Sequence, residues 1–381
     1  MNNKNKIKIC HIAKNITGKE DGVFKHLLSQ INLLDNDRFE HILIFPGGDV
    51  IENILDNFNV KYYVIPELNE KLSIRLFRKF YRILKQESID IINTHSLKSY
   101  ILGGLINVLL RKKIVYSYHG HFIRNEYNSI FEQKIYYILH LIVTLFNRVY
   151  ALTPSMKSKE LLKAETKRFS KIDFYYHGNV EVKHPKELNN DLIQKLSELR
   201  KQFLLIGYLG RLDREKNVKL AVQLFSEAKK YKENIFLLIF GSGEEDDEIK
   251  NFVLENELKN ISFFGYIMNA ESYMNYLDII ILTSKREGMP MVLWEAMKNG
   301  VPFLSTNVGG IPEIVESEKC GLIFDQNDFE DGLKKLLKLI DDENLRRKFG
   351  ENGRKALLTK YTSDNFKNFF ENYYTELVNE K

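Results

Sequence analysis

The chain has 381 residues, of which 44% are hydrophobic and 28% charged, and its formal net charge is +5. These values predict a soluble globular protein of about two domains and exclude a disordered or fibrous chain. The two cysteines, Cys10 and Cys320, stand far apart beside apolar runs. This placement predicts buried thiols and argues against a disulfide framework or a cysteine metal site.

The first half of the chain alternates between strand-like and helical segments. Strands are predicted at 7–13, 41–45, 62–65, 89–93, 114–118, 148–152 and 172–176. This alternation predicts a parallel sheet covered by helices on both faces. Ligands of such sheets bind beyond the carboxyl ends of the strands.

Two residues of the first half follow predicted strands at such ends. Gly22 stands where a helix begins after the first strand, and a glycine there lets a phosphate approach the backbone. His119 offers a general base or a hydrogen bond to a transferring group, and His121 is the second candidate. The alternative is a structural role for each, as a turn glycine and a strand-end histidine.

The charge of the chain is unevenly divided. Residues 1–180 contain 27 Lys/Arg and 17 Asp/Glu, whereas residues 181–381 contain 29 and 34. A basic half suggests an anionic partner or an anionic membrane surface, and drift in surface charge is the alternative. Within it, the segment 72–85 predicts an amphipathic helix with four basic residues on one face: Arg75, Arg78, Lys79 and Arg82. Such a helix either lies on an anionic membrane or packs its apolar side into the core.

No targeting or membrane-spanning segment is predicted. Residues 1–8 are polar and basic, and the apolar run after them is too short for a signal peptide. The longest apolar run, 135–146, is shorter than the roughly 20 residues that span a bilayer, and we interpret it as a core helix. We therefore expect a cytoplasmic protein, and the basic first half suggests peripheral contact with the inner face of the membrane.

The periodicity breaks between about 177 and 203, which predicts a hinge, and a second alternating series follows. Its strands are predicted at 203–209, 235–240, 261–264, 279–282, 303–305 and 322–324. Arg211 and Lys216 come directly after the first of them. A bidentate guanidinium and an ammonium there can bind a diphosphate and offset charge on a leaving group, unless both are simply solvated loop charges. Gly241-Ser-Gly243 has the composition of a phosphate loop.

The stretch 279–302 predicts a buried strand, a turn at Gly288 and a short helix. Pro290 suits the first helical turn, and Gly300 suits the C-terminal cap. The first N–H groups of a helix lack internal partners and attract anions. The amides predicted to face a phosphate are those of Met289, Met291 and Val292.

Two carboxylates bracket this turn. Glu287 precedes the helix, and Glu295 lies inside it. Because carboxylates accept hydrogen bonds from hydroxyl groups, one on each side of a phosphate site suits a diphosphate with a sugar at each end. The alternative is an ordinary strand-to-helix connection with two surface glutamates.

This stretch resembles the Glu-x7-Glu signature of the family 4 retaining glycosyltransferases, and the run Glu-Ala-Met-x-x-Gly-x-Pro at 295–302 fits the same pattern. Within that family the chain is most similar to bacterial capsular, exopolysaccharide and lipopolysaccharide-type sugar transferases. The resemblance implies that Glu287 binds the donor sugar and Glu295 the ribose. It also implies a role for Arg211 and Lys216 at the diphosphate.

The resemblance further implies that His119 lies near the reacting carbon and that Gly22 belongs to the loop near the diphosphate. Tyr266 and Ile267, after the third strand of the second series, correspond to the turn that contacts the base. The resemblance implies transfer with retention and without a metal. The sequence agrees on the metal, since no Asp-x-Asp stands beside a strand end.

The implied fold is α/β, with two Rossmann-like domains facing each other across a cleft, known as GT-B. We predict an acceptor domain at 1–180, a linker at 181–202, a nucleotide-sugar domain at 203–360, and a terminal helix at 361–381 that returns to the first domain.

The predicted function is transfer of a sugar from a nucleotide sugar, with a UDP-sugar favoured, to a saccharide or lipid-linked saccharide. No cofactor and no nucleic-acid partner are expected. A nucleotide-sugar epimerase of the same fold and a non-catalytic partner subunit are the alternatives. A Rossmann dehydrogenase is a third, weakened because the first turn lacks Gly-x-Gly-x-x-Gly.

Overall fold

The computed structural model describes residues 6–14, 22–70, 72–120, 129–180, 189–267 and 269–380. They form two compact units. The first comprises Met1–Val182 and Ser363–Lys381, and the second comprises Lys183–Thr362.

The elements alternate along the chain as the sequence predicts. In the first unit the strands are β1 (Ile7–Ile12), β2 (Phe39–Phe45), β3 (Lys61–Val64), β4 (Ile91–Thr94), β5 (Lys113–Ser117), β6 (Val149–Thr153) and β7 (Lys171–Phe174). Its helices before the second unit are α1 (Gly22–Leu33), α2 (Asp49–Asn57), α3 (Ile74–Gln86), α4 (Leu97–Leu110), α5 (Ile130–Phe146) and α6 (Met156–Glu165), with a 3-10 helix at Pro66–Asn69.

The second unit repeats the pattern. Its strands are β8 (Leu204–Leu209), β9 (Ile235–Phe240), β10 (Ile261–Gly265), β11 (Ile279–Leu282), β12 (Phe303–Thr306) and β13 (Gly321–Phe324). Its helices are α7 (Asn190–Arg200), α8 (Val218–Lys229), α9 (Asp246–Glu255), α10 (Met291–Asn299), α11 (Ile311–Glu318), α12 (Phe329–Asp341) and α13 (Glu343–Thr359), with a 3-10 helix at Ala270–Tyr276. The last helix, α14 (Ser363–Asn379), belongs to the first unit.

Each unit is built on one parallel sheet. The strand order is β3-β2-β1-β4-β5-β6-β7 in the first unit and β10-β9-β8-β11-β12-β13 in the second. In both sheets the order reverses at the first strand, between β1 and β4 and between β8 and β11. Loops leaving such a pair diverge and open a crevice beyond the carboxyl ends, where ligands of doubly wound sheets bind. The prediction of two Rossmann-like domains is confirmed.

Helix α14 closes the core of the first unit. Its aromatic side chains Phe366, Phe370 and Tyr374 pack into a cluster with residues of β1, β4, β5 and β6. The Tyr374 hydroxyl donates to Oε1 of Gln30 at 2.6 Å and accepts from Nδ2 of Asn93 at 3.0 Å. These bonds fix the terminal helix against α1 and the sheet.

Helix α3 uses its apolar side in the core. Leu76, Phe80 and Leu84 are buried there, while Arg75, Arg78 and Arg82 are exposed. Lys79 forms an ion pair with Glu67 at 3.3 Å. The apolar face of α3, which insertion into a membrane would require, is therefore already buried in the core.

Helix α5 departs from the sequence prediction. Of its residues only His140 and Val143 are buried, and most of its large apolar side chains are half-buried or exposed. The prediction of a core helix at 135–146 is therefore wrong. Neighbouring elements cover only a narrow side of α5, and the apolar composition of the segment does not reveal this. No helix in the described part of the chain is both long and apolar enough to cross a bilayer.

Helix α7 lies inside the stretch predicted as a linker. Asn189 caps it by accepting from the amide of Leu192 at 3.1 Å, and Leu192 and Leu196 are buried. The backbone amide of Asn189 also donates to the Tyr273 hydroxyl at 2.8 Å. The part of the predicted linker from residue 189 to 202 thus packs in the second unit.

Candidate functional site

In the second unit, two loops meet at the point where the strand order reverses. One runs from β8 to α8 and the other from β11 to α10. The Thr283 hydroxyl donates to the carbonyl of Asn217 at 2.9 Å, and the Lys285 amide donates to the carbonyl of Glu215 at 2.7 Å. Because β8 and β11 are neighbours in the sheet, loops that are distant in sequence form one surface.

The two loops are joined by an ion pair. Nζ of Lys216 donates to Oε1 of Glu287 at 2.6 Å, and the Ser284 hydroxyl donates to the same oxygen at 2.6 Å. The side chains of Lys216 and Glu287 are 19% and 8% exposed. Oε2 of Glu287 has no hydrogen-bond partner among the described residues and stays available as an acceptor.

Asp213 shapes the loop that carries Lys216. Its Oδ1 accepts from the amides of Glu215 and Lys216 at 3.1 and 3.0 Å, and its Oδ2 lies 3.1 Å from the guanidinium of Arg211. Arg211 is 63% exposed, so the two predicted cations differ. Lys216 is held beside Glu287, whereas Arg211 lies on the surface beside Asp213.

Glycines let neighbouring loops approach this surface. Gly309 has φ +57°, and a Cβ there would collide with the carbonyl oxygen of Glu287. The next residue, Gly310, donates its amide to the carbonyl of Gly288 at 2.8 Å. The Gly309–Gly310 turn therefore supports the backbone of Glu287 directly.

The Gly241-Ser-Gly243 loop packs in a similar way on the loop after β8. A Cβ at Gly241 would collide with the carbonyl of Gly210, and one at Gly243 with that of Leu212. The Leu212 amide donates to the carbonyl of Ser242 at 3.1 Å. Close backbone packing thus explains both glycines without a ligand.

Helix α10 begins at the predicted turn. Pro290 lies immediately before its first residue, Met291, and accepts from the amide of Leu293 at 3.1 Å. Val292 is buried in the first turn, Met289 is half-buried before it, and the helix ends at Gly300 with φ +67°. Glu295 is half-buried in the second turn of the same helix.

Other predicted residues lie further away or in the first unit. Tyr266 and Ile267 follow β10, an edge strand two positions from β8. Gly22 is the first residue of α1, and His121 lies outside the described residues. Nε2 of His119 lies 3.0 Å from Nδ1 of His95.

Sequence reasoning gave no site role to several residues that the structure places in contact with the predicted ones. Ser284, Asp213 and Gly309 support Lys216 and Glu287, and three further histidines continue the contact made by His119. The spacing Asp213-x-x-Lys216 was a visible signal, since an aspartate before such a turn accepts from the amides that follow it. Within the described ranges, no three His, Cys, Asp or Glu side chains are grouped so as to hold a metal ion.

Comparison with known proteins assigns the chain to a family. Residues 21–164 match the model described as Glycosyltransferase Family 4, and residues 189–356 match that of Glycosyl transferases group 1. The chain belongs to the family 4 glycosyltransferases. The two glutamates on which the resemblance rests lie in the loop after β11, for Glu287, and on α10, for Glu295.

Two relatives match this glycosyltransferase over most of its length. The capsular polysaccharide biosynthesis glycosyltransferase CapM of Staphylococcus aureus is 26% identical over 84% of this chain and 86% of its own. A UDP-Gal:alpha-D-GlcNAc-diphosphoundecaprenol alpha-1,3-galactosyltransferase of Escherichia coli is 26% identical, with 89% of each chain covered. Among solved structures, Anabaena HepE in complex with UDP-glucose has a TM-score of 0.80 at 16% identity, over 97% of this chain and 100% of that one. This likeness shows the shared GT-B fold.

Proposed function

We propose that this glycosyltransferase transfers a sugar, with retention of configuration, from a UDP-sugar to a saccharide or lipid-linked saccharide during cell-surface polysaccharide synthesis. The observation that carries the proposal is the Lys216–Glu287 pair at the crevice of the second sheet. The name of CapM supports polysaccharide synthesis, and that of the Escherichia coli relative supports a UDP-sugar donor and a lipid-linked acceptor. The UDP-glucose complex of HepE also supports the donor.

In this proposal Lys216 contributes positive charge and Glu287 recognises hydroxyl groups. A donor diphosphate at this crevice is attracted to Nζ of Lys216, whose charge offsets the negative charge that develops on the leaving nucleoside diphosphate. Glu287 presents Oε2 to the hydroxyls of the donor sugar, while Ser284 and Lys216 hold Oε1. Arg211 supplies a second cation from the surface side of the same loop.

The remaining predicted residues complete the proposed donor site. The amides at the start of α10 face the diphosphate, Glu295 accepts from the ribose, and Tyr266 and Ile267 contact the base. Gly22 and His119 belong to the first unit, and the resemblance to the family gives them roles at the diphosphate and the reacting carbon. Since Lys216 and Arg211 provide the positive charge, we expect transfer to need no metal.

The experiment is a transfer assay with purified protein, a panel of UDP-, GDP- and ADP-sugars, and saccharide acceptors. Proton NMR of the product reads the anomeric configuration, and a parallel reaction in EDTA tests metal independence. We expect transfer from a UDP-sugar with retention, lost in Glu287→Gln. Conversion of the nucleotide sugar without an acceptor would establish the epimerase instead. Absence of turnover with intact nucleotide binding would favour the partner subunit.

A lipid-linked acceptor implies contact with a membrane, and α5 is the surface that fits. Its exposed face carries six large apolar side chains over four turns: Phe131, Ile135, Ile138, Ile142, Leu145 and Phe146. Asn147, after the helix, bonds Asn107 at 2.9 Å, which brings the C-terminal end of α4 to this place. Basic residues follow both helix ends there: Arg111, Lys112 and Arg148. An apolar face with a basic end suits the surface of an anionic bilayer.

Co-sedimentation with vesicles tests this surface. We expect the protein to bind anionic vesicles and Phe131→Ser/Leu145→Ser/Phe146→Ser to lose binding. The matched control replaces exposed apolar residues of the second unit, Tyr231 and Leu254, by serine. Neutralisation of Arg75, Arg78, Lys79 and Arg82 tests α3 separately. Unchanged binding of the α5 variant would refute the assignment, and a change in its oligomeric state would identify a second copy of the chain as the occupant.

A further inference from the structure

A diagonal row of histidines crosses the first sheet. Each comes from one of four neighbouring strands or from the residues that follow it, in the order His41, His11, His95 and His119. In the strand register His41 lies opposite Ile9, and His11 lies opposite Asn93. Each step to the next strand therefore moves two residues toward the carboxyl edge, and an offset of two keeps the side chains on one face.

The rings are joined by hydrogen bonds from end to end. Nδ1 of His41 lies 3.0 Å from Nε2 of His11, and Nδ1 of His11 lies 3.1 Å from Nε2 of His95. Nδ1 of His95 lies 3.0 Å from Nε2 of His119. A neutral imidazole has one N–H and one bare nitrogen, so each bond needs a donor on one ring and an acceptor on the next. All bonds of the row must then point the same way.

The buried end of the row decides which way they point. Nε2 of His41 is buried and has no partner among the described residues. A buried N–H without an acceptor is rarer in proteins than an unpaired acceptor, so this nitrogen is the bare one and the proton is on Nδ1. His41 then donates to His11, His11 to His95, and His95 to His119.

We infer that this row holds His119 in the neutral form with its proton on Nδ1, and that His41, His11 and His95 are positioning residues for the proposed transfer. Nε2 of His119 accepts from His95, and Nδ1 carries the proton, so neither nitrogen has a free lone pair. His119 is therefore a hydrogen-bond donor to an oxygen of the sugar or phosphate, and not a general base. This role in transfer rests on the proposed function, whereas the direction of the row does not.

The surroundings keep the row neutral. Burial lowers the pKa of His41 and His119 to about 4, and burial together with neighbouring imidazoles lowers the pKa of His11 and His95 well below 6.5. The neighbouring groups that lower the pKa values of His11 and His95 are other histidines. No carboxylate of the described residues forms a hydrogen bond with a ring of the row. His26 on α1 contacts the rings of His95 and His119, and its own ring contacts those of Tyr175 and His177 after β7.

Long-range 1H–15N correlation spectra of the full-length protein labelled with 15N-histidine read the position of each proton. Single histidine variants assign the signals. We expect a protonated Nδ1 and a bare Nε2 in all four rings at pH 7.5. A protonated Nε2 on His119 would show that the row points the other way, and a doubly protonated ring would show that it is charged. Either result overturns the inference.

Variants of His95 test the effect on transfer. His95→Leu removes the donor to His119, and we expect a mixture of His119 tautomers and a fall in kcat/KM of roughly tenfold, about the value of one hydrogen bond. His95→Asn keeps an N–H near the position of Nδ1, so we expect it to restore most of the single His119 tautomer and most of kcat/KM. His140→Leu is the control, because His140 is buried in the same unit but bonds Tyr100 and Thr166 outside the row.

The outcomes separate the two claims. A single His119 tautomer in His95→Leu would overturn the positioning role, and so would an unchanged kcat/KM in a variant whose tautomer is mixed. If the wild-type protein transfers no sugar, the proposed function fails, while the spectra still test the direction of the row.

Discussion

Nζ of Lys216 donates to Oε1 of Glu287 at 2.6 Å, across 71 positions of sequence. The bond links the loops after β8 and β11, and Ser284 donates to the same carboxylate oxygen. Lys216, the proposed diphosphate ligand, is thus paired with Glu287, the proposed sugar ligand. This bond keeps both side chains oriented when no ligand is bound.

The pair should stabilise the second unit without any ligand. Lys216→Met leaves a largely buried carboxylate with one donor fewer, and we expect a loss of about 1–3 kcal/mol in the free energy of unfolding. In a double-mutant cycle with Glu287→Gln, urea denaturation should give a coupling energy of at least about 0.5 kcal/mol. The control is the exposed pair Lys230–Glu227, where we expect less than about 0.5 kcal/mol. Additive losses at Lys216 and Glu287 would show that the pair contributes nothing.

The sequence predicted both members of the pair but not their contact. Lys216 and Glu287 each follow a predicted strand, and each was assigned to a donor site. Their bond depends on β8 lying beside β11, and strand order is set by the packing of the whole sheet, which local patterns do not reveal.

Gly309→Ala should disturb Glu287 without touching a charge. The new Cβ meets the carbonyl of Glu287, in addition to the strain of a positive φ. Gly300→Ala is the control, because Gly300 has a similar φ of +67° but its Cβ would lie 3.6 Å from the nearest atom. The strain costs about 1–2 kcal/mol in either variant. We expect a clearly larger drop in Tm, and weaker nucleotide binding, for Gly309→Ala. Equal drops in Tm would contradict the contact.

The first unit should be sensitive to acid. All seven described histidines lie there with lowered pKa values, and burial lowers those of His41, His119, His140 and His177 to about 4. Below pH 6.5 the unfolded state binds more protons than the folded state, so stability is present above this pH and is lost as the pH falls toward 4.

Two spectroscopic probes can locate that loss. Trp294, the single tryptophan, is buried in α10 and reports on the second unit, whereas circular dichroism reports on both units. From pH 7.5 to 5.0 the urea midpoint by circular dichroism should fall more than the midpoint by Trp294 emission. A constant midpoint by circular dichroism would be inconsistent with buried neutral histidines.

The packing of α5 against α4 can be tested by a substitution at Gly104. A Cβ there would collide with Cγ1 of Val143, one of the two buried residues of α5. Gly104→Ala gains about 1 kcal/mol of helix propensity but should destabilise the protein, since overpacking costs about 1–3 kcal/mol. Val143→Ala in the same chain should recover part of the loss. A Gly104→Ala protein more stable than the wild type would contradict this packing.

The exposure of helix α5 and the row of histidines could not be predicted from the sequence. The run 135–146 was apolar enough for a core, and only the structure shows that its neighbours cover a narrow side. His11, His41 and His95 were unremarked because each stands alone in its own segment. Their row exists through a register of two residues between adjacent parallel strands, which is a property of the sheet.

The most direct test of the donor site is isothermal titration of UDP into the wild-type protein and Lys216→Met, without added metal. We expect binding to the wild type and at least tenfold weaker binding to Lys216→Met, since a charge-assisted bond to phosphate contributes about 1.5–3 kcal/mol. Equal affinity in the two proteins would place the nucleotide elsewhere and contradict the assignment of Lys216 and Glu287 to the donor.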